Sequence, residues 1–340
     1  MANSIVHRSV VVGAGQHRYR TDSDWPRLPD DWSFVEATAV ATDSAGHVFV
    51  FNRGKHPVIV LDGDGNVLTH WGEGIFTRPH GITITSEDLI WLVDDQDHTV
   101  RQYTLDGQLL RTLGTRGCPS DTGAAGIDYR TICRAGPPFN YPTNLAVAPC
   151  GDLYITDGYG NARVHHFSPE GKLIRSWGEP GSGPGQFYVP HGIAIDGTGT
   201  IYVADRENSR IQLFSPDGKF LDQWTDVARP CQIFIDQQGS IYVAELGYQA
   251  GMWPGTEPPG ADATGGRVSI LDRRGQPLVR WGGGIQPCEP GDFFAPHDIW
   301  VDQAGTIYVA EVTWSAGGRK GVVPADCPSL RKYVRITEST

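Results

Sequence analysis

Residues 191–224 read HGIAIDGTGTIYVADRENSRIQLFSPDGKFLDQW. Short apolar runs alternate with turn clusters, and no run keeps the i, i+3, i+4, i+7 spacing of a helix. The pattern predicts four strands in a row. The same unit recurs from His80 and His297, and again, without histidine, from Thr38, Thr143 and Cys231. The last two strands of a unit are joined by dipeptides such as Asp64-Gly65, Asp106-Gly107, Glu170-Gly171 and Asp217-Gly218. Such dipeptides supply the positive φ of tight hairpins. Six repeats of four strands, each roughly 40 residues, predict an all-β chain folded as a six-bladed β-propeller.

The sixth unit runs out after three strands. The N-terminal segment HRSVVVGAG resembles the blade endings IRSWGEPG and LRTLGTRG. It is expected to complete the last blade and close the ring, which removes exposed sheet edges. Residues 10–15 also resemble the start of a dinucleotide fingerprint. The third glycine would fall at Arg18 and no helix pattern follows, so that reading is set aside.

Composition agrees with this class. The chain has 43 glycines and 24 prolines among 340 residues, too many breaks for long helices. A net charge of -11 without basic blocks disfavours a nucleic-acid partner. No apolar run approaches the roughly 20 residues that span a bilayer. No leader pattern opens the chain, so it is expected to be cytoplasmic. The six cysteines, at 118, 133, 150, 231, 288 and 327, lack metal-ligand spacing. A Cys118–Cys133 disulfide is conceivable but disfavoured in a reducing compartment. The whole chain is expected to form one domain with three insertions, near residues 118–141, 248–265 and 313–328. These are expected to rim one face and shape a pocket.

The chemistry concentrates in Pro79-His80-Gly81, Pro190-His191-Gly192 and Pro296-His297-Asp298, which open units two, four and six. First strands line the channel of a propeller, and alternate blades of six stand about 120° apart. Three imidazoles at one depth therefore surround the axis, the ligand pattern of a catalytic zinc. The other histidines, including His56, His70, His98, His165 and His166, share no such register and read as surface or packing residues. Second strands end near the channel mouth, at Arg53, Asp95, Tyr159, Arg206, Glu245 and Glu311. Arg53 and Arg206 are suited to a carboxylate, and a tyrosine beside a dication to general-base work. Blade-to-blade ion pairs and aromatic packing are the alternative roles. Asp94, Asp95 and Asp97 read as turn formers and strand-end anchors.

The blade endings and strands such as VADRENSRIQ resemble NHL-repeat propellers. More specifically, PHG, DGYGNARV, PHGIAID, VADRENSRIQLF and PHDIWV resemble, in order and spacing, peptidyl-α-hydroxyglycine α-amidating lyase. The resemblance implies a zinc-dependent lyase that cleaves the C–N bond of an α-hydroxyglycine, giving an amide and glyoxylate. It implies zinc ligands at His80, His191 and His297, a catalytic tyrosine at Tyr159 and substrate-binding arginines at Arg53 and Arg206. It also implies a structural calcium on the backbone carbonyls of Val40 and Ile82 and the carboxylate of Asp298. The pattern departs at Gly160 and Asn140, where the family has a disulfide, and at Phe294-Ala295, where it has a methionine. A small-molecule or peptide-like α-hydroxy substrate carrying a carboxylate is the expected partner. Two other readings stay open: a calcium- or zinc-dependent hydrolase or lactonase, and a non-enzymatic NHL binding scaffold.

Overall fold

The computed structural model describes residues 9–253, 256–258 and 263–337. Six antiparallel sheets stand around an axis. Their innermost strands are Ala37–Thr42, Pro79–Ile84, Pro142–Val147, Pro190–Ile195, Pro230–Ile235 and Pro296–Val301. Each packs against the innermost strands of the blades before and after it, so the ring is continuous. The repeat predicted from residues 191–224 is the fourth blade, with strands Pro190–Ile195, Ile201–Asp205, Arg210–Phe214 and Phe220–Trp224.

The turns follow from side-chain chemistry. Asp196 ends an inner strand and its Oδ1 accepts the Thr198 and Thr200 amides at 2.9 and 3.0 Å. Asp302 does the same for Ala304 and Thr306. These are Asx turns, which bend the chain without a helix. The tryptophans that close the outer strands have a fixed purpose too. A Cβ at Gly218, which sits at φ +78°, would lie 2.7 Å from the Trp177 ring. Each indole thus caps the hairpin of the next blade, and only glycine leaves room for it. Trp71 meets Gly107 and Trp224 meets Gly275 in the same way.

A second repeated device holds the channel mouth. Asn52, Asp94, Asp157, Asp205, Glu245 and Glu311 end the second strands and are fully buried. Each accepts backbone amides from the segment entering its own blade. Asp94 takes Thr77 and Arg78, Asp205 takes Tyr188, and Glu311 takes Phe294 and Ala295. Buried amides without a strand partner need such acceptors. This corrects the strand-end register read from sequence. Glu245 and Glu311 are these internal braces, one position earlier than Arg53, Asp95 and Arg206.

Closure comes from the N-terminus as expected, but by a different segment. Strand His17–Thr21 pairs with Leu330–Arg335, with Tyr19 opposite Arg335 and Thr21 opposite Tyr333. Val11–Ala14 folds back on His17–Thr21 as a fifth strand. Residues 7 and 8 lie outside the described residues. The burial of His17, Tyr19 and Thr21 alternates with exposed Arg18 and Arg20. That period of two is a strand signal, masked in the sequence by its charged members. The glycines at 13 and 15 serve a strand and its turn, not a nucleotide loop.

Candidate metal centre and the cavity above it

The first residues of three inner strands place His80, His191 and His297 on the axis, 1%, 1% and 5% exposed. Their ring centroids are 4.6–4.8 Å apart. Each ring is oriented by the neighbouring blade. His80 Nδ1 donates to the Thr143 carbonyl at 2.7 Å, His191 Nδ1 to Cys231 at 2.8 Å, and His297 Nδ1 to Thr38 at 2.7 Å. The glycine after two of these histidines makes that approach possible. A Cβ at Gly192 would stand 2.4 Å from the Cys231 carbonyl oxygen, and one at Gly81 2.7 Å from that of Thr143.

With Nδ1 protonated, each Nε2 offers a lone pair toward the axis. Burial keeps His80 and His191 well below the usual imidazole range, with the neighbouring histidines and arginines acting in the same direction. Burial, then Arg53, brings His297 down to about 3. The triad is therefore neutral at physiological pH, the form that ligates a metal. The Tyr159 hydroxyl lies 3.1 Å from His80 Nε2 and 3.0 Å from His191 Nε2. One phenolic proton serves only one of these acceptors. The other lone pair faces an oxygen, a conflict that a cation among the three nitrogens resolves. The donor set fits a divalent metal with imidazole preference, and the carbonyls on Nδ1 supply the outer support such ligands use.

Tyr159 is also bonded by Arg206, whose Nη1 donates to its hydroxyl at 3.2 Å. Arg206 Nε is held by Glu207, and Glu207 in turn by the buried Arg229. Arg53 donates to the Pro79 carbonyl at 2.9 Å and pairs with Glu36 at 2.8 Å. Tyr141, Val189 and Arg229 precede the prolines that open three inner strands, and all sit at positive φ, 60°, 60° and 51°. Such strain in a β-branched residue persists only where the surroundings impose it, and here it turns the chain into the channel.

Tyr159, Arg53, Arg206 and His297 share a cavity of about 750 Å3. All three insertions reach it, through Ile127, Trp253 and Trp314 among others, as their composition suggested. Two residues that sequence reasoning missed line it as well. Arg78 Nη1 lies 3.3 Å from Asp95, and the Arg78 and Arg206 guanidinium carbons stand 5.7 and 5.3 Å from the Tyr159 ring centroid. Glu36 is the other. Both immediately precede inner strands, but so do Val189 and Arg229, which are fully buried and outside the cavity, so repeat register alone does not find them.

Burial pushes Asp95 up to about 6, against the pull of Arg78 and Arg53. A raised folded-state value means that its contribution is full below the ordinary carboxylate pKa and is lost as pH rises through about 6. The loss amounts to roughly 3 kcal/mol at 1.36 kcal/mol per unit. Urea unfolding of Asp95→Asn beside the parent chain is expected to show the variant gaining on the parent between pH 4 and pH 7. A pH-independent difference would rule this out.

Asp298 lies across the boundary between blades six and one. Its Oδ2 accepts the Val40 amide at 3.0 Å and its Oδ1 that of Ile299 at 2.8 Å. Burial pushes it up to about 8. Ile82 packs in the adjoining apolar cluster with Ala39 and Ala41. Asp94 is a strand-end anchor as read. His165 bonds Asp157 and Ser176, and His166 bonds Asp152, so both are packing residues.

The cysteines correct the sequence reading. Cys118 and Cys133 are free and exposed, while Cys288 and Cys327 form a disulfide. It ties the base of the 313–328 insertion to the loop before the last inner strand. The expectation that a reducing compartment would disfavour disulfides does not hold for this pair. No helix among the described residues is long and apolar enough to cross a membrane.

A family model described as NHL repeat matches residues 139–167 and 187–214, the first three strands of blades three and four. This chain is a six-bladed β-propeller with NHL repeats in blades three and four. It is 34% identical over 203 residues to NHL repeat-containing protein 3 of Homo sapiens, covering 56% of this chain and 54% of that protein. It is 30% identical over 227 residues to peptidyl-alpha-hydroxyglycine alpha-amidating lyase 1 of Drosophila melanogaster, covering 56% and 39%. The chain thus spans about half the length of these curated relatives, or less. Among solved structures, a gluconolactonase from Xanthomonas campestris superposes with a TM-score of 0.57 at 15% identity, covering 98% of this chain and 93% of that one. That likeness shows the fold alone.

Proposed function

We propose that this propeller is a zinc-dependent lyase acting on the C–N bond of an α-hydroxyglycine or related carbinolamide, releasing an amide and glyoxylate or a related carbonyl product. The observation that carries the reading is the Tyr159 hydroxyl, set between two imidazole Nε2 atoms and a guanidinium. Similarity to a named amidating lyase supports it. His80, His191 and His297 would hold the zinc, which supplies Lewis acidity toward the substrate hydroxyl oxygen.

The chain's own groups then divide the work. Arg53 and Arg206 bind the substrate carboxylate, Arg53 with the donors that Glu36 and Pro79 leave free. With metal binding displacing its own proton, Tyr159 would work as the phenolate beside the Arg206 guanidinium and accept the hydroxyl proton. As the C–O bond becomes a carbonyl, the C–N bond breaks and its electron pair passes to the amide nitrogen. That nitrogen needs one proton, and Tyr159 returns the one it took. The Trp253 and Trp314 walls exclude water from the reacting carbon. Asp298 of blade six, with the carbonyls of Val40 of blade one and Ile82 of blade two, would hold a structural calcium.

The test is glyoxylate release from N-acyl-α-hydroxyglycines. Tyr159→Phe is expected to lower kcat by about 100- to 10,000-fold, the range for a lost general base, while keeping its metal. Unchanged turnover in Tyr159→Phe would overturn the reading.

A further inference from the structure

A second set of ligand atoms converges outside the channel, on blade one. His56 Nδ1 lies 2.8 Å from Glu73 Oε1, and His70 Nδ1 lies 2.6 Å from the same oxygen. The two imidazole centroids are 4.3 Å apart. Trp32 stacks on His56 at 3.9 Å and meets His70 edge-on at 4.9 Å, so both rings are held in place. The residues come from three separate places: the segment before blade one, the connection after its second strand, and the end of its outer strand. Sequence spacing gave no reason to group them.

We propose that His56, His70 and Glu73 form a second divalent-metal site, of zinc type, that braces the mouth of the channel. Two imidazole nitrogens and one carboxylate oxygen are the ligand set of a zinc centre with a fourth position open to solvent. The present 2.6 and 2.8 Å separations are hydrogen bonds. Tetrahedral zinc with bonds of about 2.0–2.1 Å spaces its ligands roughly 3.3 Å apart. His70 and Glu73 are 40% and 42% exposed, free to swing that far, whereas His56, at 13%, is fixed under Trp32. Each imidazole then moves its proton to Nε2 and presents Nδ1 to the metal.

The consequence reaches the cavity through the backbone. Asn52 Nδ2 donates to the His56 carbonyl at 3.3 Å, and the Asn52 amide to that of Pro57 at 2.7 Å. Arg53 lies on this connection, and its amide donates to the carbonyl of Glu36, four residues past Trp32. A metal at the cluster therefore pins both segments that carry the Arg53–Glu36 pair.

The test uses the full chain stripped of metal and titrated with Zn2+ against a chromophoric chelator. Two equivalents are expected for the parent chain and one each for His70→Gln and His191→Ala. The double variant is expected to bind none. Saturating Zn2+ should raise the Tm of His191→Ala but not of the double variant, because only a ligand that binds the folded state stabilises it. Zinc retained by His191→Ala and lost with His70→Gln supports this site even if the channel triad proves empty. A titration that His70→Gln and Glu73→Gln leave unchanged in equivalents and in affinity overturns it.

Discussion

His191→Ala is expected to lose the channel metal and to slow glyoxylate release by about three to four orders of magnitude. Lewis-acid stabilisation contributes several kcal/mol to a barrier, and each 1.36 kcal/mol is tenfold in rate. Alanine removes one of three ligands, and among the described residues no carboxylate joins the ligand atoms of the triad to replace it. It also frees the Cys231 carbonyl from its 2.8 Å bond, at a cost of about 1–3 kcal/mol in stability. The two effects separate experimentally. Elemental mass spectrometry reads the metal, the unfolding midpoint reads stability, and single-turnover kinetics of the folded fraction read the chemistry. A His191→Ala protein with the parent's full metal content and rate would place the reaction elsewhere in the cavity.

Asp205→Ala is expected to cost about 3–5 kcal/mol in unfolding free energy, the range for removing one partner of a buried pair. Asp205 accepts the Tyr188 amide at 2.8 Å, Asn208 at 2.8 Å, Arg210 Nε at 2.7 Å and Gln212 at 3.1 Å. Burial pushes it up to about 6, so the ion pair does not by itself outweigh desolvation. The expected loss comes from what truncation leaves behind: a buried guanidinium short of its counter-charge and an amide short of its acceptor. Asp205→Asn keeps an acceptor for Tyr188 and should lose less. Denaturant midpoints of the two variants check the order. An alanine variant within about 1 kcal/mol of the parent would mean that the strand-end carboxylates do not brace the blades.

The three histidines are legible in the sequence because a propeller converts repeat register into depth along one axis. Once Pro79, Pro190 and Pro296 are aligned, the imidazoles must meet. Tyr159, Arg53 and Arg206 follow from the same alignment, since they lie just past the ends of second strands. What escapes is whatever the repeat does not encode. Glu36 and Arg78 precede their strands, and Trp253 and Trp314 sit in insertions. Cys288 and Cys327 belong to different irregular segments, so no spacing joins them. The closing strand at His17–Thr21 was hidden because its outward positions are arginines, whereas the adjacent Val10-Val11-Val12 run draws the eye although it forms only the outermost edge.

That arrangement has a bearing on how the chain is made. The partner of strand His17–Thr21 in the sixth blade is Leu330–Arg335, so an early strand waits for a late one. At 5–20 residues per second, the intervening stretch of about 310 residues takes roughly 15–60 s to synthesise. Throughout that interval strand His17–Thr21 has only Val11–Ala14 to pair with, and Ile307–Glu311 lacks its outer neighbour until Leu330–Arg335 appears. Five blades can form before Leu330–Arg335 is made. The sixth must wait for that strand, and until it arrives the nascent ring is an open arc with His297 and Asp298 on its unfinished lip.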